Sequence, residues 1–218
     1  MARKGRALLV VASMLLLMMV VSACGEPQEP AANQINQLVL GDQQINESLK
    51  EIARHEREDL ELYATILQKG KNKNSNLEAL LDQAQDHVDQ RRELLDQAMA
   101  VMEQTKQQLD GLRESIGELS FEKEETLAQA QAVLERYETR AGTFEEYVAA
   151  YQQSLDADQQ LYDMMRKKAE PNLVKIKRAI RLRNSEYGKL AELREQFNQQ
   201  TKAFNNANAK LVNMEQPS

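Results

Sequence analysis

The stretch LEALLDQAQDHVDQRRELLDQAMAVMEQTKQQLDGLRESIGEL, residues 77–119, carries the clearest structural pattern in the chain. Apolar side chains recur there at every seventh position, at Leu81, Val88, Leu95, Met102, Leu109 and Ile116. A second series that starts at Leu77 is mostly apolar and includes Arg91. Two such series repeat every 3.5 residues on average, as in a coiled coil or a long bundle helix. The sequence therefore predicts one long helix that packs against other helices along its length.

Similar heptad series run through the rest of the chain and are separated by three breaks. The segment GKNKNSN at 70–76 predicts a loop, with Gly70 after one helix and Asn76 capping the next. Residues 117–120 form a weaker break, because the heptad restarts out of phase at Leu127. Pro171 suits the first turn of a further helix. Only 8 Gly and 4 Pro occur in 218 residues, which also favours helix over sheet.

These breaks predict an all-α fold, a long antiparallel up-and-down four-helix bundle over residues 34–214. The alternative places the second break at Ala141-Gly142-Thr143, where Thr143 and Glu146 match a capping box. That break would create one very long helix and a three-helix, spectrin-like coiled-coil rod. The two architectures remain open at the level of sequence.

Charged residues on the apolar faces predict how the helices align. If the first hairpin turns near residue 73, Arg91 lies level with Glu56. A turn near Pro171 likewise places Asp158 level with Arg183. Opposite charges at matching heights can fix the register of a bundle. We therefore expect the pairs Arg91–Glu56 and Arg183–Asp158.

The N-terminus has the anatomy of a secretory signal. Arg3, Lys4 and Arg6 precede a nearly uninterrupted apolar segment over 7–21, and small residues then lead to Cys24. The ending Val21-Ser22-Ala23-Cys24 resembles the lipobox of bacterial lipoproteins, in which the cysteine thiol receives a diacylglyceryl group and cleavage occurs before it. The resemblance implies a signal peptide over 1–23 and lipidation, including palmitate, at Cys24. An uncleaved membrane helix over 7–23 is the alternative.

Residues 24–33 are interpreted as a lipidated cysteine followed by a spacer. Pro27 and Pro30 prevent regular helix in this segment. Two acyl chains hold a protein on a membrane far more firmly than one chain. We therefore expect a membrane partner through Cys24, with the bundle on the extracytoplasmic face of the cell membrane.

Composition argues against several other classes of function. The net charge is −6, and without residues 1–23 the chain has 25 basic and 34 acidic residues, which disfavours nucleic acid as a partner. His55 has Glu51 and Asp59 one turn away, but His87 lies on another helix, so we expect no metal site. No catalytic set can be assembled from two histidines and one lipidated cysteine. We expect neither an enzyme nor a cofactor.

Aromatic residues on the third segment are expected to pack in the core rather than stack on sugars. They are Tyr137, Phe144, Tyr147, Tyr151 and Tyr162. Most of them follow the heptad, and the chain has no tryptophan, the side chain that best stacks on carbohydrate.

A basic run between residues 166 and 183 stands out in an acidic protein. It contains eight basic residues and one acid. Helical geometry places several of them opposite the apolar face, exposed to solvent. The candidate anion-binding residues are Lys167, Lys168, Lys175, Lys177, Arg178 and Arg181. Such a patch could bind teichoic-acid phosphates or lipid head groups, and a merely solubilising face is the alternative.

The motif VSAC at 21–24, the short proline-containing spacer and the Glu/Gln/Lys-rich heptad helices together resemble the YkyA-type cell-wall-binding lipoproteins of Gram-positive bacteria. The resemblance implies a helical bundle with a proposed wall-binding role and brings no catalytic residues. An adaptor for other envelope proteins is the alternative function. An enzyme or solute receptor would need a pocket, for which close-packed heptad faces leave little room.

Overall fold

The computed structural model describes residues 29–71, 76–119, 121, 123–166 and 173–215. These residues form four α-helices and no strand: α1 (Ala31–Lys69), α2 (Glu78–Glu118), α3 (Glu124–Arg166) and α4 (Leu173–Glu215). Each helix has between 39 and 43 residues, which corresponds to a length of about 60 Å. The all-α prediction is confirmed.

Consecutive helices pack side by side, α1 on α2, α2 on α3 and α3 on α4. The backbone N–H groups of Ala31 and Ala32 donate to the Glu215 carboxylate at 3.0 and 2.8 Å, so α1 begins where α4 ends. The predicted up-and-down four-helix bundle is confirmed. The backbones of α1 and α4 lie close to each other at fewer positions than those of the other neighbouring helices do. This side of the bundle is consequently more open.

The core of the bundle follows the heptad of the quoted stretch. All six residues of its main series, from Leu81 to Ile116, are at most 2% exposed. On α3 the five aromatic residues expected in the core are buried as well, with Tyr147 the most exposed of them at 6%. Phe197, Phe204 and Leu211 supply the opposite wall from α4. The heptad pattern thus identifies the buried faces correctly.

The boundaries of the helices exclude the three-helix rod. Ala141, Gly142 and Thr143 lie inside α3, where the Thr143 hydroxyl donates to the Thr139 carbonyl instead of capping a new helix. The break at 117–120 is real, because α2 ends at Glu118. At the start of α2, Leu77 holds the N-cap position, and the neighbouring Asn76 accepts a hydrogen bond from the Glu78 amide at 3.0 Å. Pro171 lies outside the described residues.

Candidate functional site

Four of the six predicted anion-binding residues lie on the first turns of α4 and are exposed to solvent: Lys175, Lys177, Arg178 and Arg181. Lys167 and Lys168 lie outside the described residues. Lys177, Arg178 and Arg181 form no ion pair with another described residue. Their positive charge is therefore available to an external anion. We call these four residues of α4 the basic face.

The two arginines that bound the basic run have structural partners. Arg166, at the end of α3, pairs with Asp82 and lies 3.6 Å from a carboxylate oxygen of Glu78. Arg183 is buried and pairs with Asp158, as the sequence predicts. Neither arginine is free to bind a ligand, so the candidate site is confined to the exposed basic residues.

A buried layer of charge crosses the bundle just beyond the basic face, and each helix contributes one residue to it. Asp59 comes from α1, Arg91 from α2, Asp158 from α3 and Arg183 from α4. The Arg91 Nη2 atom lies 3.3 Å from Asp59 Oδ2 and 3.2 Å from Asp158 Oδ2. Arg183 Nη2 lies 3.7 Å from Asp59 Oδ2. Two cations and two anions thus balance inside the core, and we call this group the charge layer.

The expected pair Arg91–Glu56 is wrong. Arg91 pairs with Asp59, one turn further along α1, because α1 and α2 align three residues away from the predicted register. Glu56 instead accepts a hydrogen bond from the Tyr151 hydroxyl at 2.6 Å. The pair Arg183–Asp158 is correct, but both aspartates also share Arg91. Opposed charges do align the helices, through a layer of four residues rather than through two separate pairs.

Tyrosine hydroxyls complete the hydrogen bonds of the charge layer. Tyr187 donates to Asp158 Oδ2 at 2.7 Å and accepts from Arg91 Nη1 at 2.8 Å. Tyr162 donates to Asp59 at 3.1 Å. Burial raises the pKa of Asp59, and the neighbouring Arg91 opposes that rise. The layer is therefore satisfied internally and fixes the register of all four helices.

A smaller polar layer lies nearer the other end of the bundle. Arg140 is 1% exposed, and its Nη1 atom lies 2.7 Å from Asp42 Oδ1. The same carboxylate accepts a hydrogen bond from the Tyr137 hydroxyl, while Arg140 Nε donates to the Thr201 hydroxyl at 2.8 Å. This layer joins α1, α3 and α4. Because every partner is satisfied, its role is structural.

The two histidines lie together in space, although they belong to different helices. The rings of His55 and His87 are 5.9 Å apart, at the interface of α1 and α2. His87 Nδ1 is 3.9 Å from Asp59, and His55 Nδ1 is 3.5 Å from Glu58. No group of three metal-binding side chains was found within the described ranges. The two rings form part of the contact between α1 and α2.

An open groove runs between α1 and α4. One section has a volume of about 330 Å³ and is bounded by Leu60 and Tyr187, while the next has about 390 Å³ and is floored by Tyr147 of α3. Glu56 and Arg194 line both sections. Close-packed heptad faces predict little room for a pocket between the helices. This groove corrects that prediction for the α1–α4 side of the bundle.

Comparison with protein families identifies one match, which covers residues 26–214 and therefore most of the chain. The matching family is YkyA, described as "Putative cell-wall binding lipoprotein". This chain belongs to the YkyA family. The comparisons with curated proteins and with solved structures gave no match.

Membership of the YkyA family supports a lipoprotein located at the cell surface and associated with the membrane. Within the part of the chain that the structure describes, no helix is both long and apolar enough to cross a membrane. The predicted lipidation site, Cys24, lies outside the described residues. The family description names the cell wall as the binding partner and assigns no residue to that role.

The residues of the groove were not predicted from the sequence, although their heptad spacing could have indicated them. Asn46, Ala53 and Leu60 follow one another at heptad spacing on α1 and line the groove beside the core. Asn184, Ala191 and Asn198 do the same on α4. Small and amide side chains at such flanking positions leave space between two helices. Recognising the groove required knowledge of which two helices face each other.

Proposed function

We propose that this protein is a lipoprotein anchored to the outer face of the cell membrane through Cys24, whose bundle binds anionic polymers of the cell wall. The basic face of α4 would bind phosphate groups of teichoic acid. The protein would act by binding and not by catalysis. The exposure of Lys175, Lys177, Arg178 and Arg181 on one helix is the observation that carries the proposal.

The position of the basic face along the bundle supports a wall polymer over a lipid head group. Helix α1 begins seven residues after Cys24, a distance of at most about 25 Å. The basic face lies near the opposite end of the bundle, about 55 Å along α4 from Glu215, the residue that contacts the start of α1. The basic face is thus remote from the end of the bundle at which α1 begins, which favours a polymer rather than a lipid head group as its ligand.

The charge of the basic face supports phosphate as the ligand. Lysine and arginine side chains near an anionic surface each contribute about 1 kcal/mol. Four such residues within two turns of α4 provide a local positive potential on a protein with net charge −6. Because these contacts are exposed, we expect salt to weaken them strongly.

Co-sedimentation of the full-length protein, purified in detergent, with isolated cell walls tests the proposal. Walls are used before and after removal of teichoic acid, over a series of salt concentrations. The variant K175Q/K177Q/R178Q/R181Q is expected to bind intact walls up to about a thousandfold more weakly, since four contacts of about 1 kcal/mol are lost. Removal of teichoic acid is expected to weaken the wild type to the same extent.

The matched control carries R57Q, R136Q, K202Q and K210Q, four exposed positions away from the basic face. It changes the net charge equally, so it should bind walls as the wild type does. Equal losses in both variants, or salt-independent binding, would contradict a specific basic face. Retrieval of one envelope protein in cross-linking, with no binding to walls, would favour an adaptor instead.

A further inference from the structure

The groove between α1 and α4 contains two charged side chains that form no ion pair with another described residue. Glu56 is partly buried and Arg194 is exposed, and both line the two sections of the groove. Neither forms an ion pair with any residue in the described ranges. Within the described ranges, the carboxylate of Glu56 accepts a hydrogen bond from the Tyr151 hydroxyl. This contrasts with Asp59 and Arg183 at the end of the same groove, which are paired within the charge layer.

The floor of the groove holds a tyrosine hydroxyl that no other described residue binds. Tyr147 lines the groove from α3 and is only 6% exposed. Its ring packs against Phe144 and Tyr151, but its hydroxyl forms no hydrogen bond with another described residue. This hydroxyl is therefore available to hydrogen-bond a ligand atom in the groove.

The two charges act on this same hydroxyl. Burial raises the pKa of Tyr147, the negative charge of Glu56 raises it further, and the positive charge of Arg194 opposes both. An anion, a cation and a phenol are thus close together along one groove. The apolar side chains of Leu49, Ile52 and Phe197 surround them. Such a mixture of apolar walls and a few polar groups is typical of a small-ligand site.

We propose that this groove binds a short zwitterionic peptide, such as the peptide portion of peptidoglycan. The ligand's carboxylate would pair with Arg194, its ammonium group with Glu56, and a backbone group with the Tyr147 hydroxyl. The inference rests on the proposed wall-binding function but uses a different surface. A polyphosphate would be repelled by Glu56, and a purely apolar helix would leave both charges unpaired in the interface.

Isothermal titration calorimetry of the full-length protein in detergent tests the groove with defined soluble probes. The first probe is a disaccharide carrying a wall peptide with a free amine and a free carboxylate. The others are the same disaccharide without peptide, the free peptide without sugar, and the peptide with its amine acetylated and its carboxylates amidated. We expect the first and third probes to bind, and the blocked peptide to bind at least about tenfold more weakly.

Variants of the three groove residues locate the binding. We expect R194Q, E56Q and Y147F each to weaken binding of the free peptide about tenfold or less, because each removes one polar contact. The control R136Q removes an exposed arginine from α3, away from this groove, and should leave the affinity unchanged. Circular dichroism verifies that each variant remains helical. An equal loss in R136Q would attribute the effect to net charge and overturn the proposal.

Other outcomes also decide against the groove as a peptide site. Equal binding of the blocked peptide, or tight binding of the sugar alone, would mean that the groove does not recognise the charged ends of the peptide. A dimer in analytical ultracentrifugation that is abolished by Y147F would mean that a second copy fills the groove. Binding of intact walls with no binding of any peptide probe would overturn this inference and leave the proposed function standing.

Loss of wall binding in the basic-face variant, with peptide binding retained, would support two separate sites.

Discussion

Arg91 is the residue through which the four helices are held in register. It is fully buried, and its guanidinium contacts Asp59 of α1, Asp158 of α3 and Tyr187 of α4. Burying an ion is costly, and only its partners offset that cost. Removing the arginine leaves two buried carboxylates with Arg183 as their remaining cation. The charge layer therefore contributes more to the alignment of the helices than to net stability.

Substituting Arg91→Met is expected to lower the free energy of unfolding by about 3–5 kcal/mol, the usual cost of leaving a buried charge without its partner. Urea unfolding followed by circular dichroism measures the change. The adjacent Arg92 is the control, because it is partly exposed and pairs with the exposed Asp156 at 2.9 Å. Arg92→Met should cost less than about 1 kcal/mol. Similar losses at both positions would contradict the charge layer.

His55 gives the bundle a dependence on pH. Burial lowers the pKa of His55, as do the nearby charges of Arg54 and His87, while Glu58 opposes them. The unfolded chain therefore takes up a proton at higher pH than the native protein does, and stability is lost as pH falls through the unfolded value near 6.5. We expect His55→Gln to reduce the fall in urea midpoint between about pH 8 and pH 5.5. An unchanged pH profile in the variant would show that His55 titrates normally.

Periodicity alone predicted Arg91 as a charged residue on a buried face, but not its partners. The heptad fixes which side of α2 Arg91 occupies, whereas its neighbours depend on where the loop between α1 and α2 turns. The predicted alignment of α1 with α2 was wrong by about one turn, so Glu56 was predicted as the partner of Arg91 where the structure has Asp59. Arg183 and Asp158 were predicted correctly because the loop between their helices is marked by Pro171. The contact among all four side chains depends on how the four helices pack side by side, and the sequence of one helix does not determine that packing.

At the scale of elements, Gly41 of α1 lies directly against Thr105 of α2. A Cβ atom at this position would overlap the Thr105 hydroxyl oxygen, which is held by its hydrogen bond to the Val101 carbonyl at 2.8 Å. Glycine is thus retained inside α1 in spite of its low helix propensity. By contrast, a Cβ on Gly111 of α2 would meet no atom within 4 Å.

The two glycines make a matched pair of substitutions. Gly41→Ala should destabilise the protein by about 1–3 kcal/mol through overpacking, and Thr105→Ala should rescue much of that loss. Gly111→Ala should instead stabilise the protein by about 0.5–1 kcal/mol, because only helix propensity changes. Thermal and urea unfolding measure both effects. Stabilisation by Gly41→Ala would mean that α1 and α2 are further apart than the structure places them.

Glu215 joins the first and last helices at one end of the bundle. A carboxylate is unfavourable at the end of its own helix α4, but here it accepts hydrogen bonds from the first N–H groups of α1. Glu215→Ala should cost about 1 kcal/mol and increase hydrogen exchange in the first turn of α1. Glu118→Ala, at the exposed end of α2, is the control and should change neither quantity. Unaltered exchange at Ala31–Ile35 in the Glu215 variant would argue against this contact.

The number and extent of the helices could be predicted well from sequence. Gly70, Asn76 and the shift of heptad phase near Ser120 each mark a change that a continuous helix would not tolerate easily. The false break at Gly142 shows the limit of this reasoning. Glycine and a capping-box sequence do not end a helix when the residues around them pack in the core, as Ala141 and Phe144 do on α3, where both are fully buried.

At the scale of the whole molecule, the two candidate surfaces have different places in the fold. The basic face lies on the outside of α4, and its residues followed from charge and helical geometry alone. The groove lies between the first and last helices of the chain and depends on their separation. Lipidation at Cys24 would bring both surfaces to the outside of the cell, where wall polymers and wall peptides are present.

The lipid anchor is the central claim, because the location of every proposed ligand depends on it. Mass spectrometry of the protein extracted from cell membranes tests it most directly. The account predicts a mature chain that begins at Cys24 and carries a diacylglyceryl group on the cysteine sulfur. A mature chain that begins at any other residue, or one with an unmodified Cys24 thiol, would contradict it.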